Sequence, residues 1–157
     1  MEPVEIALNL ALLALLAGSI FSDVTRRTIP NFVCVGVFLL GLVHAVLMSR
    51  TDWIYSLVGC ALVFLGGLGL HKKKVLGGGD IKLIAALAVW LTPIELARFI
   101  LSIMLAGGVV GAFYLLVGFF RRLKDKSAPA ASGVPYALAI VGGFLLMRPD
   151  VLSQTLL

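Results

Sequence analysis

Two aspartates stand out as groups able to do chemistry: Asp23, in Ser-Asp-Val-Thr-Arg-Arg, and Asp80, closing Gly-Gly-Gly-Asp. Each borders an apolar run, where an ionised side chain is costly and so points to a function. If their oxygens meet in a partly dry site, like-charge repulsion leaves the pair holding one proton over a working pH range. Such a pair can activate a water. The ionised member takes its proton as it attacks a carbonyl, and the protonated member stabilises the developing oxyanion. A small transporter using the same two groups as proton or cation sites is the competing reading. Locally, Asp80 also suits a helix N-cap, and Asp23 a hydrated helix end.

The elements that must position them follow from composition. Of the 157 residues 61% are hydrophobic and only 13% charged, outside the range of soluble domains, so the chain reads as an integral membrane protein. The apolar residues fall in long runs without the period-two alternation of a membrane barrel, which predicts an all-α bundle and one domain over residues 1–157. A spanning helix needs about twenty apolar residues. On that measure six crossings are expected: Val4–Phe21, Phe32–Met48, Trp53–Leu70, Ile81 towards Ile94, Ala97–Phe120 and Val134–Met147, with Pro93 ending the fourth. Glu2 and Glu5 stand where a signal peptide has its positive region, so the first segment is expected to stay as a helix.

Charge sets the orientation. Ten of the thirteen basic residues, from Arg26 and Arg27 through Lys72, Lys73, Lys74 and Lys82 to Arg121, Arg122, Lys124 and Lys126, follow the first, third and fifth crossings. Arg50, Arg98 and Arg148 lie opposite, with Glu2, Glu5, Asp52, Glu95 and Asp150. The positive-inside rule therefore places both termini outside and the loops with Asp23 and Asp80 in the cytoplasm. Two crossings separate the aspartates, so they share a side and a depth. The net charge of +5 reports this topology, and nucleic acid is not an expected partner; the lipid bilayer is.

Cys34, Cys60, His44 and His71 have no ligand-spaced neighbours, so no metal or cofactor is expected and the cysteines read as packing residues. Asp125 to Gly133, rich in Ser, Ala and Pro, reads as a loop, and Gly107 and Gly111 as helix-packing positions. Gly77, Gly78 and Gly79 offer backbone angles closed to other residues and a close approach for substrate. Lys82 reads as a lysine reaching the membrane boundary, with the ionised state of a carboxylate as its other possible target. Pro30 with Asn31 fixes the turn into the second crossing. Tyr136 reads as an interfacial aromatic that could hydrogen-bond in the site. Helix dipoles alone favour ionisation of Asp80, at a helix start, and protonation of Asp23, at a helix end.

Residues 22 to 31, Ser-Asp-Val-Thr-Arg-Arg-Thr-Ile-Pro-Asn, and 76 to 83, Leu-Gly-Gly-Gly-Asp-Ile-Lys-Leu, resemble the two active-site segments of type IV prepilin peptidases; the second holds their GxGD signature. Gly133-Val134-Pro135-Tyr136-Ala137 is similar to the start of that family's last helix. The resemblance implies an aspartic endopeptidase of the inner membrane that removes prepilin leaders at the cytoplasmic face, with Asp23 and Asp80 as the catalytic pair. Larger bifunctional members carry a cytoplasmic insertion with paired CxxC motifs, linked to N-methylation. Here no CxxC occurs and the first crossing runs almost directly into the second, which resembles the short peptidases of tight-adherence (Tad/Flp) pili and makes methyltransferase activity doubtful. Oligomeric state is not legible.

Overall fold

The computed structural model describes residues 3–48, 51–73, 76–124 and 136–156. Arg50, Lys74, Lys126, the Asp125 to Gly133 loop and the Gly133-Val134-Pro135 part of the third motif lie outside the described residues, as do the surroundings of Gly111 and the side chains of Arg121, Arg122 and Lys124. Among the described residues there are seven helices and no strand: α1 (Pro3–Arg26), α2 (Asn31–Leu47), α3 (Trp53–Lys72), α4 (Gly78–Ala88), α5 (Pro93–Lys124), α6 (Ala137–Met147) and α7 (Pro149–Leu156).

The all-α expectation holds, and three boundaries differ for physical reasons. Helix α1 runs five residues past Phe21, so Asp23 lies within its last turns. Pro93 does not end the fourth helix; it opens α5. The Thr92 backbone N–H and hydroxyl donate to Glu95 Oε2 at 2.8 and 2.9 Å, and the Glu95 N–H donates back to Thr92 Oγ1 at 3.3 Å. That is a capping box, with proline at the first helical position where its missing N–H costs nothing. Helix α7, beyond Met147, was not expected; Pro149 starts it in the same way.

Two helices among the described residues, α1 and α3, are long and apolar enough to cross a membrane by themselves, and α2 and α6 are shorter apolar helices. Their outward faces suit lipid: Phe21, Phe32 and Val46 are each more than 70% exposed. Helix α4 is the centre of the packing. It has eleven residues, about 16 Å of rise and half a hydrocarbon core. Every residue from Ile81 to Ala88 except Lys82 is buried, against α2, α3 and α6. Leu83 and Leu87 join Leu12 and Leu16 of α1, Val37 of α2, and Ile140 and Phe144 of α6 in one core.

A short helix buried on all sides must satisfy its end carbonyls within the protein. The last turn of α4 tightens through Trp90 N–H to Leu87 O at 3.0 Å and Leu91 N–H to Ala88 O at 3.2 Å. Arg148 Nη1 donates to Trp90 O at 2.8 Å, Ser56 Oγ to Leu91 O at 2.7 Å, and Trp90 Nε1 to Val37 O at 3.0 Å. Arg148 also pairs with Asp150 at 2.7 Å. Burial works against the Asp150 carboxylate, but hydrogen bonds and charge from Arg148 outweigh it and hold the group below the usual carboxylate range. One guanidinium thus locks the far end of α4 to the start of α7. Arg148→Ala leaves Trp90 O and the half-buried Asp150 without their donor, an expected loss of about 1–3 kcal/mol at neutral pH in thermal unfolding of the detergent-solubilised protein, whereas a change under about 0.5 kcal/mol contradicts this role.

Candidate active site

The near end of α4 carries Asp80, and Asp23 lies in the last turns of α1. Asp23 is 6% exposed, on the inward face of α1 with Leu12, Leu16 and Ser19. Below it the chain reverses. The Arg27 N–H donates to Asp23 O at 2.9 Å, and Arg27 adopts a left-handed conformation with φ of 53°. This is a helix-ending residue usually filled by glycine, at a cost of about 1 kcal/mol for a side chain. The Ser22 hydroxyl donates to Thr28 O at 2.7 Å, and Ile29 is buried in the core. Pro30, with φ of −62° and ψ of 139°, then caps α2. The turn expected at Pro30 and Asn31 is present.

Asp80 is half-buried and is the third residue of α4, so it is not the N-cap; Gly77 is. The Gly77 backbone hydrogen-bonds the Asp80 side chain, as an acidic group at the third helical position does. The glycines act through space and not through special angles. No described glycine has positive φ. A Cβ on Gly77 would lie 2.7 Å from Asp80 Oδ2, and one on Gly79 would lie 3.1 Å from Ile29 Cβ and 3.3 Å from its backbone nitrogen. Gly79 therefore lets the α1–α2 turn rest on the start of α4, bringing Asp23 towards Asp80. Gly78 faces the His71 ring, whose Nδ1 is 3.1 Å from Leu76 O.

Asp80 lies near enough to Asp23 for the charge of one to act on the other. Lys82 does not reach a carboxylate. It is exposed and donates to Asn31 Oδ1 at 2.8 Å, tying α4 to the first turn of α2.

One functional contact escaped the sequence. The Ala137 N–H donates to Asp23 Oδ2 at 2.9 Å, which sets the first turn of α6 against Asp23. Tyr136 is the N-cap of α6 and packs on Gly107 of α5; it orients this donor without bonding a carboxylate among the contacts described. A backbone donor has no residue-type signal, so only the Tyr136-Ala137 segment could have pointed to it. The N-terminal ends of two short helices, α4 and α6, therefore converge on the pair, where their positive poles suit anionic groups.

A helical membrane protein with one aspartate in the last turns of α1 and another in the first turn of α4 is the class so defined. Residues 10–116, which include both aspartates, match the model of the type IV leader peptidase family, and the chain belongs to that family. It is 31% identical over 133 residues to a prepilin leader peptidase/N-methyltransferase of Legionella pneumophila, covering 79% of this chain and 46% of the relative. It is 33% identical over 128 residues to a protein of the same name in Bacillus subtilis (strain 168), covering 80% and 48%. The chain thus spans about half the length of these curated relatives. No solved structure matches it.

Proposed function

We propose that the chain is an aspartic endopeptidase that removes the leader peptide of type IV or Flp-like prepilins at the cytoplasmic face of the inner membrane, with Asp23 and Asp80 as the catalytic pair. The observation that carries this reading is the coupling of Asp80 to Asp23, in a family whose relatives are named for leader cleavage. Asp80 is the protonated member. Asp23 is the base: the Ala137 N–H occupies Oδ2, leaving Oδ1 to take a proton from water as the water oxygen attacks the scissile carbonyl carbon. Asp80 gives its proton to the carbonyl oxygen. When the tetrahedral species collapses, the C–N bond breaks, the amine nitrogen takes the proton from Asp23, and the carbonyl oxygen returns its proton to Asp80.

The rest of the reading extends this site. The chain forms one membrane-embedded domain in which the half-length α4 completes its crossing through the capped turn before α5, giving six crossings. The basic clusters from Arg26 and Arg27 and around Lys72 and Lys73 support a cytoplasmic position for the end that holds Asp23 and Asp80, with both termini outside. Gly77, Gly78 and Gly79 offer an edge for the extended leader junction, since cleavage needs carbonyls free of helical hydrogen bonds. Residues 27–30 form the whole link between α1 and α2. That short link supports the Tad/Flp branch and speaks against a methyltransferase role.

Co-expression with a candidate prepilin tests the proposal. The parent chain is expected to shorten the precursor by its leader, and Asp23→Asn and Asp80→Asn each to lower the processing rate at least about 10³-fold, the scale on which a catalytic group acts. Processing that survives either change at near-parental rate sinks the assignment.

A further inference from the structure

Gly77, Gly78 and Gly79 leave the entry to α4 without a side chain that could key it into its neighbours. Gly79 rests on Ile29, and Ile81 lies on Gly67 of α3. Both are contacts of apolar atoms with a bare glycine backbone, which hold the helix close but set no direction. A directional contact must fix how far the first turn is rotated about its axis, because that rotation decides where the Asp80 carboxyl points.

Lys82 supplies that contact. Asp80 and Lys82 are the third and fifth residues of α4, about 200° apart around the helix, so they leave opposite sides of it. Lys82 Nζ donates to Oδ1 of Asn31, the first residue of α2, at 2.8 Å. An ammonium has no acceptor, so the Asn31 carboxamide must present its oxygen and the bond has one sense. Asn31 is joined to the end of α1 by residues 27–30 alone, and Ile29 within that link is buried. Holding one side of α4 to the segment that follows Asp23 therefore sets the angle at which Asp80 leaves the other side. Lys82 is the single exposed residue from Ile81 to Ala88, and a lysine that only reached for water would need no acceptor on the next helix.

We infer that Lys82 is a positioning residue: its bond to Asn31 fixes the rotation of the first turn of α4 and so aims the Asp80 carboxyl at the atoms on which it acts together with Asp23. Lys82 works through Asp80 and takes no part in the proton transfers. The bond lies at the exposed edge of the bundle, where one hydrogen bond adds little to stability, so its loss is expected to appear in the chemical step and not in folding. This inference rests on the peptidase reading and adds to it that the pair is aligned by a bond outside the pair.

The test is a double-mutant cycle on steady-state processing by the purified full chain, with a precursor that the parent cuts. Lys82→Met keeps the stem and removes the donor, and Asn31→Ala removes the acceptor. Each is expected to lower kcat about three- to tenfold with KM within about twofold, the scale of one charge-assisted hydrogen bond, and the double variant to be no slower than the slower single. Asn31→Asp keeps an acceptor and is expected to recover most of the rate that Asn31→Ala loses, but not when Lys82→Met is also present. Thermal unfolding of each variant is expected to stay within about 4 °C of the parent. Parental kcat in both single variants, losses that multiply in the double, a change confined to KM, or no recovery with Asn31→Asp overturns the positioning role while processing by the parent leaves the peptidase reading standing. A fall in rate that matches a fall in the folded fraction overturns it in the same way. Failure of the parent to cut any precursor defeats the peptidase reading, and this inference with it.

Discussion

Asp23 can be buried in an apolar bundle only because the first backbone N–H of α6 donates to one of its oxygens. A carboxylate without such a donor would be driven to solvent or neutralised. This bond fixes which part of α6 faces α1, and the turn after Asp23 in turn fixes where Ile29 rests on Gly79. Asp80 then follows one residue later in α4. The pair is therefore the meeting point of three helix ends, and none can shift without moving a carboxylate.

The other end of α4 supports this arrangement. A largely buried helix of eleven residues gains little rigidity from length, so its position depends on how its ends are held. Ser56 and Arg148 bond the carbonyls of Leu91 and Trp90 just beyond α4, Trp90 bonds across to α2, Arg148 also holds Asp150 at the start of α7, and the capping box at Thr92 begins α5 directly afterwards. Side-chain polar groups sit where the backbone would otherwise be unsatisfied. Between these ends the apolar side chains of α4 pack against α2, α3 and α6.

Much of this was legible in the residues. Acids beside apolar runs, the glycine triplet and the charge asymmetry are features of composition and spacing, and they led to Asp23, Asp80 and an all-helical bundle. Other features were present but read one way when they serve another. Pro93 by itself suggests a helix end, yet Thr92 and Glu95 around it form a helix start. The glycines before Asp80 suggest unusual angles, whereas what the fold uses is the missing Cβ at Gly79 against Ile29. The Ala137 donor and the Arg148 clamp have no signature, since one is backbone and the other depends on which chain segments meet.

The central claim is that Asp23 and Asp80 act on each other as one titrating unit. Isotope-edited infrared titration of the Asp80 carboxyl in the parent and in Asp23→Asn measures this directly. Like-charge repulsion between the two groups predicts that the Asp80 carboxyl titrates at lower pH once the Asp23 charge is gone. An Asp80 titration that does not move when Asp23 is neutralised contradicts it.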